Sequence, residues 1–455
     1  KTVFSGLGIA AAFKFLADGL KIFPSEITYD FKNYKGAGIG MDTLPSLLGV
    51  GYICGPKISS YMLTGGILGW LVLMPLIYVF GGDMTIYPAS KPISSMGAAT
   101  IWSSYIKYIG AGAVACGGII SLLKSLPTMI KAFSGSMKGY GSKVGESVRT
   151  NKDLPAKFLI FGIIIIALII CIVPTFPLGI GGTLLVVIFA FFFVTVSARM
   201  VGIVGSSNNP VSGMTIATLL IVTAALKATG NIGIKGMTGA IVVASIICIA
   251  SAIAGDTSQD LKTGYIVGAT PYKQQIGEII GVLTSSVAIG GTLYLLNNGL
   301  GYGSKDLPAP QAELMKMVVE GVMNGNLPWA LIFAGVFIGV VVEIMGIPVM
   351  PFAVGLYLPI YISLPMVVGG LIRLYVDKKK GLSEEEKKAA NNRGILYSSG
   401  LIAGEGLVGI LLAALAAAKV NVDVSGSFSL GSIGSLILFA LLAWSLLHQT
   451  MKKGK

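Results

Sequence analysis

Charged residues are scarce in this chain of 455 residues: Asp, Glu, Lys and Arg together make up only 12%. Soluble domains carry about a quarter of such residues. The hydrophobic fraction is 54% and the mean hydropathy is +0.82. The apolar residues form continuous runs of about 20 residues rather than an alternating pattern, which favours membrane-spanning helices and excludes a β-barrel. The sequence therefore predicts an all-α, polytopic membrane helix bundle.

Histidine and cysteine are also rare. The single histidine is His448, and the four cysteines lie in apolar stretches without CxxC spacing, so no metal site or disulfide framework is indicated. The glycine-rich GAGIG at 36–40 has no strand before it and no phosphate-loop lysine in register. A Walker motif and a Ser-His-Asp set are missing. We therefore expect no enzyme, no cofactor and no ATP-driven transport by this chain alone.

The net charge of +13 comes largely from loops beside apolar segments. Residues 124–157 carry seven basic side chains against Glu146 and Asp153, and residues 373–393 carry seven against four acidic ones. The positive-inside rule predicts that both loops are cytoplasmic, in a multi-pass protein of the cell (plasma or inner) membrane. Lipid, rather than nucleic acid, explains the basic balance.

Thirteen apolar segments are predicted. They are 3–23, 44–63, 64–81, 97–125, 156–174, 178–203, 211–229, 236–254, 274–297, 328–347, 348–372, 393–418 and 430–448. Seven of them lie between the two basic loops, so one should not cross the membrane. Segment 348–372 contains four prolines, which break a helix repeatedly. We expect it to be re-entrant or to form two half-helices packed inside the protein, with a kinked full span as the alternative.

A polar break lies between two apolar runs at residues 199–215, RMVGIVGSSNNPVSGMT. Broken backbone at membrane depth is tolerated where protein or a water-filled cavity surrounds it, and transporters use such breaks to hold substrate. An ordinary polar turn between two helices is the alternative. We expect a substrate cavity lined by this break and by segment 348–372. The predicted substrate-binding residues are Asn208, Asn209, Ser212, Met214, Thr215, Tyr357 and Tyr361.

An internal repeat is indicated by residues 51–66, which align without gaps on residues 355–370 with six identities. A weaker echo links 110–118 to 402–410, where Ala113 is aligned with Glu405. An offset of 304 residues would start the second repeat near residue 152. We therefore predict that residues 1–151 are the C-terminal part of a first transmembrane repeat and 152–455 the second. The flanking charges favour an inverted repeat.

Carboxylates within apolar segments are candidates for proton coupling, because an ionised carboxylate in lipid costs several kcal/mol. They are Glu405, which we favour slightly, then Glu343 and Glu278. A structural ion pair, for instance with Lys227 or Lys107, is the alternative, and Lys14 with Asp18 should form a local pair. The predicted loop 255–275 carries Asp256, Asp260 and Lys262, which could bind an ionic ligand or brace a gate, or belong to a solvated connector.

Four stretches together resemble the oligopeptide transporter family, which includes the yellow-stripe-like metal-chelate transporters of plants. They are NNPVSGMT (208–215), GDTSQDLKTGYIVGATPYKQQ (255–275), PFAVGLYLPIYISLPMVVGGLIR (351–373) and YIKYIGAGAVACGGIISLLKSLP (105–127). The resemblance implies proton-coupled import of small peptides or peptide-like metal chelates by a prokaryotic-type member. It also implies about sixteen helices, hence an N-terminal part missing here, and halves related as parallel repeats.

A passive channel for small polar solutes is the alternative function, because broken helices would permit that as well. An intramembrane enzyme is disfavoured by the lack of a paired catalytic set. Assembly into a homo-oligomer stays open.

Overall fold

The computed structural model describes residues 1–139, 148–174, 176–204, 211–304, 307, 309–325, 328–381, 383–420, 422–426 and 429–452. Among these residues, ten helices are long and apolar enough to cross a membrane. This confirms the predicted all-α, multi-pass class.

The helices have the following bounds: α1 Thr2–Lys14, α2 Pro45–Ile67, α3 Met74–Gly81, α4 Ala98–Ile101, α5 Lys107–Gly139, α6 Ala156–Ile172, α7 Gly179–Val204, α8 Val211–Ala228, α9 Ile234–Val267, α10 Pro271–Gly299, α11 Pro310–Asn324, α12 Trp329–Ile344, α13 Val349–Tyr357, α14 Ile360–Lys378, α15 Glu384–Ala417 and α16 Gly431–Met451. π-Helical segments Phe15–Gly19, Leu68–Leu73 and Trp102–Ile106 continue α1, join α2 to α3 and join α4 to α5. Short 3-10 turns lie at Ile93–Ser95 and Arg149–Asn151.

A two-stranded antiparallel hairpin follows α1, which the apolar pattern did not predict. Strand β1 spans Glu26–Asp30 and β2 spans Gly38–Asp42. The register pairs Glu26 with Asp42 and Asp30 with Gly38. A hairpin alone is marginal in water, so its stability depends on the helices that it packs against. These are chiefly α14 and the π-helical segment after α2.

The chain divides into two compact units. The first contains residues 1–117, 292–309 and 328–455, and the second contains 118–291 and 310–327. In the first, α2 packs against α13, α14 and α15, and α1 lies along α15. In the second, α7 and α8 pack on α9, and their apolar core includes Val196, Leu219 and Ile247. The predicted division into repeats at residue 152 is a partition by sequence equivalence, and it stays a prediction.

The Pro-rich segment 348–372 forms two helices, as predicted by the half-helix interpretation. Helix α13 ends at Tyr357 and α14 begins at Ile360. Leu358 and Pro359 between them are extended, with ψ of 152° and 144°. Tyr357 and Ile360 are buried. Proline without an N–H ends the first helix and starts the second.

The prediction of a loop directly after segment 236–254 is wrong. Asp256, Asp260 and Lys262 lie within α9, which continues to Val267 and ends at Gly268 in the left-handed conformation, φ 72°. No glycine or proline interrupts the chain between Asp256 and Lys262, and the apolar pattern stops before the helix does. A helix of 34 residues is about 50 Å long, longer than the roughly 30 Å hydrocarbon core, so its polar end can extend beyond the lipid.

Candidate functional site: a buried ionic cluster

An ammonium group lies among carboxylates at the end of α1. Lys14 forms an ion pair with Asp18 one turn later, which confirms the predicted local pair. The Nζ atom of Lys14 also lies 3.9 Å from Oε1 of Glu405. The two side chains are 15% and 11% exposed, so solvent screens this pair only weakly. Lys14, rather than the suggested Lys227 or Lys107, is therefore the cation beside Glu405.

Close packing of α1 on α15 brings Glu405 to Lys14. Gly400 and Gly404 lie so near the backbone of α1 that an added Cβ would overlap the carbonyl oxygens of Val3 and Leu7. Larger residues at these positions would push the helices apart. The contact is thus built by small residues, as is common between membrane helices.

Glu405 also holds the start of α2. Its Oε2 accepts a hydrogen bond from the backbone N–H of Ser46 at 2.6 Å, and Ser46 lies in the first turn of that helix. The first N–H groups of a helix lack internal partners and favour a negative charge. Glu405 therefore links α1, α2 and α15, and its charge state bears on all three.

The hairpin places two more carboxyls in the same unit. Glu26 and Asp42 are directly opposite each other across the strands, where like charges repel. Burial, and then the neighbouring Glu26, raise the pKa of Asp42 from 3.8 to about 7, although the Lys14 ammonium acts in the opposite direction. Asp42 lies in β2, outside the membrane-spanning helices. It titrates near neutral pH, as a coupling carboxyl must.

Tyr361, a predicted substrate-binding residue, lies beside this hairpin. A Cβ added at Gly40 of β2 would be 3.0 Å from the Cβ of Tyr361. The ring of Trp70 packs edge-on against Tyr361 with 6.0 Å between centroids. Tyr361 is half-buried, whereas Tyr357 is fully buried. The structure thus brings Tyr361 beside the hairpin, whereas Tyr357 is a core residue.

Two broken helices cross in the same unit. Helix α2 is broken at Gly55, with φ 83° and ψ 174°, and α13 and α14 are separated at Leu358–Pro359. Glycines permit the crossing: an added Cβ at Gly51 would overlap the carbonyl of Met366, and one at Gly355 would overlap that of Met62. These contacts are reciprocal at the offset predicted for the repeat, since Gly355 follows Gly51, and Met366 follows Met62, by 304 positions.

The remaining predicted substrate-binding residues belong to the stretch 208–215. Asn208, Asn209 and the side chain of Ser212 lie outside the described residues. Met214 is buried in the apolar core of the second unit, and Thr215 donates to the carbonyl of Val211 in its own helix. Their predicted contact with substrate stays a prediction.

Glu278 and Asp260, predicted for different roles, come together in the second unit. Glu278 lies beside Thr257 and Asp260, and Gln274 donates to the Asp260 carboxylate at 3.1 Å. Glu343 is half-buried in the last turn of α12, in the first unit. Of the three carboxylates predicted for coupling, Glu405 is the one that the described contacts place in the cluster around Lys14.

Comparison with known families decides the identity. A family model described as OPT oligopeptide transporter protein matches residues 2–416. The chain belongs to this family. The match includes all four stretches that carried the resemblance, so that reading of the sequence is confirmed.

Relatives of this OPT-family chain are named as transporters. A protein of Haemophilus influenzae named as an oligopeptide transporter is 31% identical over 470 residues, covering 92% of this chain and 73% of the relative. The metal-nicotianamine transporters YSL13 of Oryza sativa and YSL5 of Arabidopsis thaliana, as they are named, are 23% and 24% identical over 91% and 90% of this chain. The chain spans only 59% and 60% of those two plant relatives.

Sequence reasoning missed Asp42 and Glu26, and it treated Asp18 only as a local partner of Lys14. Glu26 and Asp42 lie outside the apolar runs, where carboxyls are common, whereas Asp18 lies within segment 3–23, where the local pair with Lys14 already accounted for it. A usable signal was the pair of short stretches EITYD and GIGMD with a Gly-containing connection, which is compatible with a hairpin. Its register would have set Glu26 opposite Asp42.

Proposed function

We propose that this chain is a secondary active importer that couples the uptake of small peptides or peptide-like metal chelates to proton entry. The carrying observation is the partly buried cluster of Lys14, Glu405 and Asp42, in which one carboxyl titrates near neutral pH beside a carboxylate that anchors a broken helix. The names of the relatives support the substrate class. The membrane would be the cell membrane, with the basic loops in the cytoplasm.

The cluster carries more acid than base. Among the described residues, the ammonium group of Lys14 lies with the carboxyls of Asp18, Asp42 and Glu405, and Glu26 lies opposite Asp42. Such an excess of negative charge favours protons and positively charged parts of a ligand. A proton on Asp42 would remove the repulsion between Asp42 and Glu26. Lys14 would then interact mainly with the carboxylates of Asp18 and Glu405.

The coupling step follows from the two bonds of Glu405. While ionised, Glu405 holds the N-terminus of α2 and faces Lys14. Protonation would weaken both contacts, since each depends on the negative charge. The start of α2 would then be free to move relative to α15. Proton occupancy would thus change the relation between a broken helix and its neighbour, which is the element that an alternating-access cycle needs.

Uptake into proteoliposomes tests the proposal. With an inward gradient of one pH unit, wild type should accumulate a metal–nicotianamine complex or a labelled tripeptide, up to about tenfold for one proton per substrate. Glu405→Gln, which imitates the protonated form, should still exchange substrate but lose proton-driven accumulation. Glu385→Gln, at an exposed carboxylate in the first turn of α15, is the matched control and should behave as wild type.

The outcomes separate the two candidate functions. Rapid equilibration without accumulation would favour a passive channel, which the broken helices also permit. Accumulation by Glu405→Gln equal to that of wild type would remove Glu405 from the coupling step and make Glu343 the next carboxylate to test.

A further inference from the structure

The two helix breaks, at Gly55 in α2 and at Leu358–Pro359 between α13 and α14, differ in whether a side chain binds the carbonyl groups that they free. At the first, Pro56 has no N–H to donate to the carbonyl of Tyr52, and the turn at Gly55 ends the α-helical pattern. The guanidinium of Arg373 covers this end: Nη1 donates to the carbonyl of Tyr52 at 3.2 Å and to that of Ile53 at 2.6 Å. A built-in cation thus satisfies the first break.

The second break lacks such a cation. Pro359 has no N–H to donate to the carbonyl of Gly355, and the extended Leu358 and Pro359 carry the N–H of Ile360 away from the carbonyl of Leu356. At the offset of 304 residues, Gly69 stands in the place of Arg373. A Cβ added at Gly69 would be 3.8 Å from the carbonyl oxygen of Leu356. Within the described residues, no side-chain donor to these two oxygens is found.

A pair of serines shows the same contrast. Ser59 follows the first break by one turn, and its hydroxyl donates to the carbonyl of Gly55 at 3.0 Å. Ser363, 304 positions later, follows the second break by one turn. It is fully buried, and its hydroxyl has no hydrogen-bond partner in the structure. A buried hydroxyl without a partner destabilises the fold, and a ligand that accepts or coordinates it would remove that cost.

We propose that the second break binds a sodium ion, with the carbonyl oxygens of Gly355 and Leu356 and the hydroxyl of Ser363 among its ligands. Neutral oxygens at the end of a half-helix suit an alkali cation, whereas Ca²⁺ and Mg²⁺ sites in proteins use carboxylates. The set contains no group that titrates near neutral pH, so a proton is not its ligand. The site would be a second coupling site, separate from the ionic cluster, and its role in transport rests on the proposed function.

Binding to the purified protein tests the site without any transport. In detergent at constant ionic strength, replacing choline chloride by NaCl should raise the Tm of wild type with a saturable dependence on Na⁺. Ser363→Ala should weaken the apparent Na⁺ affinity at least tenfold. Ser59→Ala, the matched control at the first break, should keep the wild-type response, and Ser363→Thr, which retains the hydroxyl, should keep most of it.

Retained binding of ²²Na⁺ by wild type gives a readout that does not depend on any variant. The proposal is overturned if wild type binds no ²²Na⁺ and has the same Tm in both salts, or if Ser363→Ala responds as wild type does. Proton-driven uptake that persists in such a case would leave the proposed function standing. Absence of proton-driven uptake together with intact Na⁺ binding would leave the sodium site standing and overturn the proposed function.

Discussion

Replacing Asp42 by Asn should make the protein more stable near neutral pH and leave it unchanged in acid. The folded-state pKa of Asp42 is raised from 3.8 to about 7 by burial and by Glu26. The protonated carboxyl is therefore favoured by folding. The stabilisation of the fold by the protonated Asp42 carboxyl is fully present below pH 3.8 and is lost as the pH rises through 7. Asn imitates the protonated carboxyl at every pH, so the variant keeps the stability that the wild type loses when Asp42 ionises.

The magnitude follows from the two pKa values. A difference of about three pH units corresponds to a free energy on the order of 4 kcal/mol. Asp42 retains some contact with solvent, so the measured value should be smaller. The Tm of Asp42→Asn and wild type should agree below pH 3.8, diverge as the pH rises to about 7 and change little relative to each other above that, with the variant higher by several degrees. Light-scattering-monitored thermal unfolding in detergent, over this range, measures the difference.

Two further variants make the reasoning refutable. Glu26→Gln removes the opposing carboxylate and should move the wild-type transition to lower pH, because one cause of the raised pKa is gone. Glu385→Gln should leave the pH profile unchanged. A Tm difference between Asp42→Asn and wild type that is independent of pH, or a variant less stable at pH 8, would show that folding does not raise the pKa of Asp42.

Two predictions concern the crossing of the broken helices. Gly355→Ala should prevent folding or lower the free energy of unfolding by several kcal/mol, since the added Cβ would overlap the backbone of Met62. The control Gly406→Ala, whose added Cβ would have nothing within 4 Å, should leave the stability unchanged or raise it by about 0.5–1 kcal/mol. Monodispersity and Tm distinguish the two variants. Arg373→Met should lose two charge-assisted hydrogen bonds at the first break, about 3 kcal/mol or more, with Arg373→Lys intermediate; an unchanged Tm in Arg373→Met would contradict the capping role.

Local features of the chain could be predicted from its sequence. Continuous apolar runs require helices in lipid, and proline at 359 removes an N–H wherever the chain goes, so both the bundle and the break after Tyr357 could be predicted. The pair of Lys14 and Asp18 depends only on helical spacing. The helical end of α9 was missed because a polar stretch next to an apolar run reads equally well as loop or as helix.

The tertiary structure decided which distant residues meet. Glu405 reaches Ser46 across 359 positions of sequence, and Asp42 acquires its raised pKa only because the hairpin register sets Glu26 opposite it and the surrounding helices bury it. Nothing in the composition of a carboxyl group reveals its burial or its neighbours. The sequence alone determined that this chain is a membrane helix bundle of the OPT family with a Pro-rich helix break and with carboxylates inside apolar segments. Packing through glycines then selected Lys14 as the partner of Glu405 and Arg373 as the cap of one break, because a charge or a freed carbonyl is satisfied by whichever group the fold brings within a few ångströms.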